Sequence, residues 1–254
     1  MDLGLKGRSA LVTAASRGLG RACAEALIGE GAEVFIASRD EASIASTAKQ
    51  INAAGWMAGD VSKPGEPEAI VKAALGKMPG LDVLVVNAGG PQPGTFQSTP
   101  LELWEAAFQL TLMSAVRLIR AALPHLKRSD QGRIVCITSI SVRQPIPNIA
   151  LSNAMRAAVT GLAKTLSREL APDGITVNCL APDSILTDRT RQVAAASGAD
   201  PEEQVKRMAA SAPMGRLGDP AEFGAACAFL CSKHAGYITG QTIGIDGGTL
   251  LGVH

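Results

Sequence analysis

The segment Thr13-Ala14-Ala15-Ser16-Arg17-Gly18-Leu19-Gly20 has the composition of a phosphate-binding turn. Gly18 and Gly20 permit a tight turn and a close backbone approach. A helix starting there aims unpaired N–H groups and its positive dipole end at an anion. The glycine usual at the first position of such turns is replaced by Ala14, which adds a methyl and no charge. Further on, Ala37-Ser38-Arg39 stands where an NAD site normally carries a carboxylate for the ribose 2′-hydroxyl. Ser38 supplies none and Arg39 adds a cation, with Arg17 able to lie on the same side. Two guanidiniums suit a 2′-phosphate through forked, charge-assisted hydrogen bonds, so the pattern favours NADP(H) over NAD(H). Asp60-Val61 can bond an adenine amino group, and Asn87-Ala88-Gly89 offers small residues beside a cofactor ribose. Each position also has a plainer use, the arginines as surface charges and Asn87 as a turn residue.

These residues are useful only if the chain places them together. Seven short runs rich in Val and Ile read as strands: Ala10–Val12, Val34–Ala37, Met57–Gly59, Leu84–Val86, Ile134–Thr138, Val177–Leu180 and Ile243–Ile245. They are continuous rather than alternating, as in strands buried on both faces. Helical stretches separate them: Gly18–Gly29, Glu41–Ala54, Glu66–Lys77, Leu101–His125, Ser152–Leu170 and Ala221–Lys233. The alternation predicts a doubly wound α/β fold, a parallel sheet with helices on both faces and right-handed crossovers. In such folds ligands bind at the carboxyl ends of the strands, and each motif above follows a strand. Residues 183–218 break the pattern with a long polar segment rich in Ala and Ser. Its length predicts a lid over a binding site. Within it, Leu186, Val193, Met208 and Met214 form an apolar set that either covers a substrate or packs the lid down.

Composition narrows the alternatives. The 254 residues fit one domain spanning 1–254, with 46% hydrophobic and 3% aromatic residues. A net charge of +1 argues against a dedicated nucleic-acid binder and against a disordered chain. No segment reads as a membrane span and the N-terminus lacks a signal-peptide apolar block, which predicts a cytoplasmic protein. Five cysteines, Cys23, Cys136, Cys179, Cys227 and Cys231, read as reduced core thiols. Cys227, Cys231 and His234 could share a helix face, but no fourth ligand is nearby and no metal site is expected.

Taken together, the motifs resemble the short-chain dehydrogenase/reductase family. The resemblance rests on Thr13…Gly18-Leu19-Gly20, Asp60-Val61, Asn87-Ala88-Gly89, Gly132-Arg133-Ile134-Val135, Ser139 and Ala157-Ala158-Val159-Thr160-Gly161-Leu162. It continues through Val177-Asn178, Thr187-Asp188, Tyr237-Ile238-Thr239-Gly240 and Asp246-Gly247-Gly248, so it covers essentially the whole chain. The branch most resembled is that of the 3-oxoacyl-[acyl-carrier-protein] reductases. The resemblance implies a seven-stranded Rossmann sheet, a nicotinamide cofactor, a small carbonyl or hydroxyl substrate and a homotetramer. It also places Pro182, Ile185 and Thr187 at the cofactor.

The family's chemistry uses an Asn, a Ser, a Tyr and a Lys. Ser139 matches the serine. Aligned on Ala157-Ala158-Val159, the tyrosine position is Ser152 and the lysine position is Arg156; one residue earlier they are Leu151 and Met155. The asparagine position is Thr111. The only tyrosine, Tyr237, matches a structural turn of the family. Serine does not titrate near neutrality and arginine stays protonated. The candidate catalytic set is therefore Ser139, Ser152, Arg156, Thr111 and Asp183. Asp183 replaces the glycine of the family's Pro-Gly and puts a carboxylate beside the nicotinamide. Arg156 can also act as a fixed cation under the nicotinamide ribose, and Arg143 can face the cleft mouth. Two classes of function fit: an NADP(H)-dependent oxidoreductase with an atypical site, and a dinucleotide-binding sensor or scaffold that has lost the proton donor. An acceptor that is already protonated, such as an iminium, would not need the tyrosine.

Overall fold

The computed structural model describes residues 1–187, 190 and 200–253. Seven parallel strands form one sheet: β1 (Ser9–Thr13), β2 (Glu33–Ser38), β3 (Gly55–Ala58), β4 (Val83–Val86), β5 (Arg133–Ile137), β6 (Thr176–Pro182) and β7 (Thr242–Ile245). Their spatial order is β3-β2-β1-β4-β5-β6-β7. The register aligns Val12 with both Ile36 and Val85, and Cys136 with Cys179. The order reverses between β1 and β4, which opens a crevice at their carboxyl ends.

Apolar side chains on both faces explain why these runs are strands. Every residue of β1, β4 and β5 is buried. One face packs Leu11, Leu84 and Ile134 against Ile70 of α3 (Glu66–Leu75), Leu118 of α5 (Ser114–Leu126) and Val159 of α6 (Ala150–Glu169). The other packs Val12, Ile36 and Val85 against Leu27 of α1 (Gly18–Gly29), Ile44 of α2 (Glu41–Ile51) and Phe223 of α8 (Pro220–Cys231). Each such side chain contributes about 1.5–3 kcal/mol when taken from water. Leu101–Ala107 forms α4 and Pro201–Ser211 forms α7.

Several expected boundaries shift for local reasons. The second helix stops at Ile51 rather than Ala54, because Asn52 takes a left-handed conformation (φ 56°) and caps it. The last long helix starts at Pro220, held by an Asp219–Glu222 capping box. Arg216 pairs with Glu222, and that hydrogen bond, with a second from the Asp219 N–H, holds the Glu222 carboxyl down to about 2. The segment expected to be a lid contains α7, which the sequence pattern missed. Asp200 caps it, accepting the Glu202 and Glu203 N–H groups. Val193, Arg189 and Arg191 of that segment lie outside the described residues.

The helix from Leu101 to Leu126 departs from expectation twice. It is long and apolar enough to cross a membrane by length and composition, contrary to the expectation that no segment is. Its Leu118, Ile119, Ala122 and Leu126 are buried in the core, as in an interior helix of a folded domain. Residues Phe108–Met113 wind as a π-helix, a widened turn that often marks a functional position.

Candidate active site

At the carboxyl end of β1 the chain turns sharply. The Ala15 N–H donates to the Ala37 carbonyl at 3.1 Å, locking the turn to β2. Thr13 ties it to β4: its hydroxyl donates to the Asn87 carbonyl (2.7 Å) and accepts the Asn87 N–H (3.0 Å). The Asn87 amide then donates to the Ala14 carbonyl at 3.3 Å. Gly20 is essential to this closeness, since a Cβ there would lie 2.4 Å from the Ala14 carbonyl oxygen. Arg17 is the extended residue before α1, and its side chain makes no cap. The helix therefore presents free N–H groups, with Leu19 behind them, at a glycine-lined cradle.

Ala14 sits at φ 48°, where a Cβ is strained. Replacing Ala14 with glycine relieves that strain. Ala14→Gly is expected to raise stability by about 1 kcal/mol, read as an upward shift in thermal midpoint. A fall would show that the methyl contributes more than the backbone strain costs.

The ribose end is polar and cationic. Ser16 and Ser38 hydroxyls lie 2.9 Å apart, and the Thr47 hydroxyl donates to the Ser16 carbonyl. Arg17 and Arg39 are exposed beside them and make no ion pair among the described residues. Asp40, next in the chain, accepts hydrogen bonds from the Ser43 side chain and N–H, and these, with the neighbouring Arg17 charge, lower its carboxyl below the usual range. After β3, Asp60 accepts both the N–H and the hydroxyl of Ser62 through one oxygen, while Val61 is buried. Ala88 is half-buried beside Asn87, and Gly89 borders open space. The glycine cradle and the unengaged guanidiniums fit a dinucleotide with a phosphorylated ribose.

On the other side of the crevice, Ser139 follows β5 and caps a short 3₁₀ turn, Ile140–Val142. Its oxygen accepts the Ser141 N–H at 3.1 Å. Ser152 and Arg156 lie four residues apart on α6, hence on one face. Arg156 reaches back and donates to the Ile137 carbonyl at 2.9 Å, two residues before Ser139. Ser152 is half-buried. Thr111 is buried in the π-helical turn, which packs against α6. Asp183 follows Pro182 at the end of β6 and is half-buried; its N–H donates to the Ile245 carbonyl. Ile185 is buried, and Thr187 stands 3.8 Å from where a Gly18 Cβ would be. The segment after β6 therefore reaches back over the phosphate turn.

Other candidates lie elsewhere. Arg143 is exposed and donates to the Thr242 carbonyl of the edge strand β7 at 2.6 Å, so it is not free at the cleft mouth. Tyr237 is fully exposed in the turn before β7. Cys227 and Cys231 are buried, whereas His234 is exposed and bonded to the Asp2 carbonyl. The signal that sequence reasoning passed over is polar: Thr111, Ser141 and Asn153 each carry a buried side-chain atom with no protein partner. Only one other such atom, on Thr176, occurs among the described residues.

The fold and crevice define a doubly wound α/β protein of the dinucleotide-binding kind. A family model described as enoyl-(acyl carrier protein) reductase matches residues 13–249. The 3-oxoacyl-[acyl-carrier-protein] reductase FabG of Vibrio cholerae is 37% identical over 98% of this chain and 100% of its own. The human dehydrogenase/reductase SDR family member 4 is 32% identical, covering 96% and 88%. Among solved structures, L-sorbose reductase from Gluconobacter frateurii, complexed with NADPH and L-sorbose, superposes with a TM-score of 0.93 at 31% identity over 100% of both chains. The chain belongs to the short-chain dehydrogenase/reductase family.

Proposed function

We propose that the chain is an NADP(H)-dependent oxidoreductase with an atypical active site, acting on a small carbonyl or hydroxyl substrate of the 3-oxoacyl kind. The observation that carries this is the pairing of an intact dinucleotide cradle with Ser152 and Arg156 on α6, where the family has tyrosine and lysine. The single tyrosine, Tyr237, is fully exposed outside the crevice. The FabG relatives and the NADPH complex of L-sorbose reductase support the cofactor and reaction class.

Thr13, Ala15, Ser16, Arg17, Gly18, Leu19 and Gly20 would hold the pyrophosphate, and Ser38 with Arg39 the phosphorylated ribose. Asp60 and Val61 would face the adenine. Asn87, Ala88, Gly89, Arg156, Pro182, Ile185 and Thr187 would line the nicotinamide half. A bound nicotinamide supplies the hydride. The protein positions the acceptor: Ser139 and Ser152 donate to its oxygen, and Arg156 fixes a positive charge beside it. Thr111 supports α6 from the π-turn, and Asp183 adds a carboxylate at the rim. Residues 183–218 would cover the substrate. The family resemblance also implies a homotetramer, which light scattering checks.

Replacing Arg39 with alanine tests the cofactor assignment. Losing a charge-assisted bond weakens NADPH binding by about tenfold to a hundredfold and leaves NADH binding unchanged, as measured by titration calorimetry. Equal loss for both cofactors overturns the 2′-phosphate role. Tight NADPH binding without turnover of any carbonyl or alcohol would leave the sensor or scaffold function instead.

A further inference from the structure

The proposed reaction uses none of the five cysteines, yet two of them are paired across the sheet. Cys136 of β5 stands directly opposite Cys179 of β6, and Cys179 stands opposite Thr242 of β7. Both belong to the core layer that α6 covers with Val159 and Ala163. The Cys136 thiol shares a hydrogen bond with Cys179, which also meets the Thr160 and Thr242 hydroxyls. Those contacts divide the pair chemically. The bond to Cys179, together with burial, pushes the Cys136 thiol well above the usual range. The same bond, with the two hydroxyls, holds Cys179 below it. The thiolate is the nucleophile, so Cys179 is the member that reacts first and Cys136 the one that resolves it.

The pair is also tied to the crevice. Ser139 lies three residues beyond Cys136, and Pro182 lies three beyond Cys179, with Asp183 next. Thr160 donates to the Arg156 carbonyl at 2.9 Å, one turn back along α6. A movement at the two thiols therefore reaches both strands that end at the crevice and the helix beside them.

We propose that Cys136 and Cys179 form a peroxide-sensitive switch, closing a reversible disulfide that distorts the crevice. Hydrogen peroxide is the oxidant. The Cys179 thiolate attacks one peroxide oxygen, the O–O bond breaks, and hydroxide leaves behind a sulfenic acid. The Cys136 sulfur then attacks the Cys179 sulfur. Its proton joins the departing hydroxyl as water, and the S–S bond forms. Two thiols are oxidised and one peroxide is reduced to two waters, counting the proton that Cys179 gave up.

The geometry permits this bond and strains it. Adjacent strands lie about 4.7–4.9 Å apart, within the Cα separation of about 4.4–6.8 Å that disulfides span. A disulfide brings its Cβ atoms to about 3.5–4.5 Å, closer than side chains standing parallel on neighbouring strands. Closure draws β5 and β6 together at that row and shifts Ser139 against Pro182. A strained disulfide is readily reduced, which makes the change reversible. Both thiols are buried, so the oxidant enters when the sheet edge opens. β7 supplies that opening, as the edge strand, four residues long and half-buried throughout.

Peptide mapping of the whole protein tests the site directly. After treatment with hydrogen peroxide, the Cys136 and Cys179 peptides should appear joined, with Cys23, Cys227 and Cys231 still free. Those three lie in the opposite core layer, where hydrogen bonds with neighbouring thiols and burial push Cys227 and Cys231 well above the usual range. In Cys136→Ser the reaction should stop at the Cys179 sulfenic acid, captured with dimedone. Titration calorimetry of the oxidised protein should show NADPH affinity down by about tenfold, and dithiothreitol should restore it. No bond, a bond among the other three cysteines, or a Cys136–Cys179 bond that leaves NADPH affinity unchanged overturns the inference. The effect on affinity rests on the function proposed above. If the reduced protein binds no NADPH, that function falls, and the joined or unjoined peptides still decide the oxidation site.

Discussion

Converting Ser152→Tyr and Arg156→Lys together is expected to raise NADPH-dependent reduction of a saturated 3-oxoacyl thioester by about 10²–10⁴-fold in kcat/KM, the usual contribution of a placed general acid. The two positions face the same side of α6, which packs against the turn that follows Ser139, so the change would supply a titrating hydroxyl and a lysine cation one helical turn apart. The conversion also removes the charge-assisted Arg156 bond to the Ile137 carbonyl, which costs about 1.5–3 kcal/mol of stability and is read separately as a fall in thermal midpoint. Steady-state kinetics with the thioester gives the answer. No gain with the ketone would mean that the crevice does not seat a carbonyl carbon near the cofactor at all. A gain confined to the double variant, absent from either single one, would show that the acid works only with its lysine.

The largest stability effect lies away from the crevice. α1 and α8 cross at Gly224, where a Cβ would stand 2.4 Å from the Ala22 carbonyl oxygen. That atom is backbone and cannot swing aside. Gly224→Val is therefore expected to cost about 3 kcal/mol or more. In a chain of this size that is a fall of roughly 6–12 °C in thermal midpoint. Gly161 on α6 provides the control: nothing lies within 4 Å of its Cβ position. Gly161→Ala should raise stability by about 0.5–1 kcal/mol through helix propensity alone. Calorimetry of both variants separates packing from propensity. A tolerated Gly224→Val would mean that the helices can part without loss.

Much of this architecture is legible in the chain. Strands such as Val83–Val86 announce themselves because burial on both faces demands unbroken aliphatic runs. The start of α1 is equally plain, since Gly18 and Gly20 follow an apolar run. Ends are harder: α2 stops at Asn52 through a local left-handed turn that competes with a helix-compatible Ala53-Ala54. The helix α7 hid within a polar, alanine-rich stretch, where no apolar periodicity separates helix from loop. At the site, composition alone singled out Tyr237 as the chain's one tyrosine, and the fold leaves it exposed in the turn before β7. Arg143 misled, since a guanidinium long enough to reach the cleft is also long enough to reach β7. The partnerless hydroxyls of Thr111 and Ser141 had no sequence signal, because being unpaired is a property of three-dimensional surroundings.

The middle of the sheet joins distant parts of the chain, with Ala10 of β1 beside Val83 of β4. The phosphate turn is held from the same side, through Thr13 and Asn87. A growing chain emerging from the ribosome thus has its cradle sequence long before it has the cradle. Until β4 has been made, β1 has one open edge, and the turn that follows it is held from the β2 side alone. Closing so long a loop is slow, and the unpaired strand stays adhesive in the meantime. Ligand binding by this protein is therefore a late event in its synthesis, and a chain truncated before Asn87 would carry the glycine motif without the means to use it.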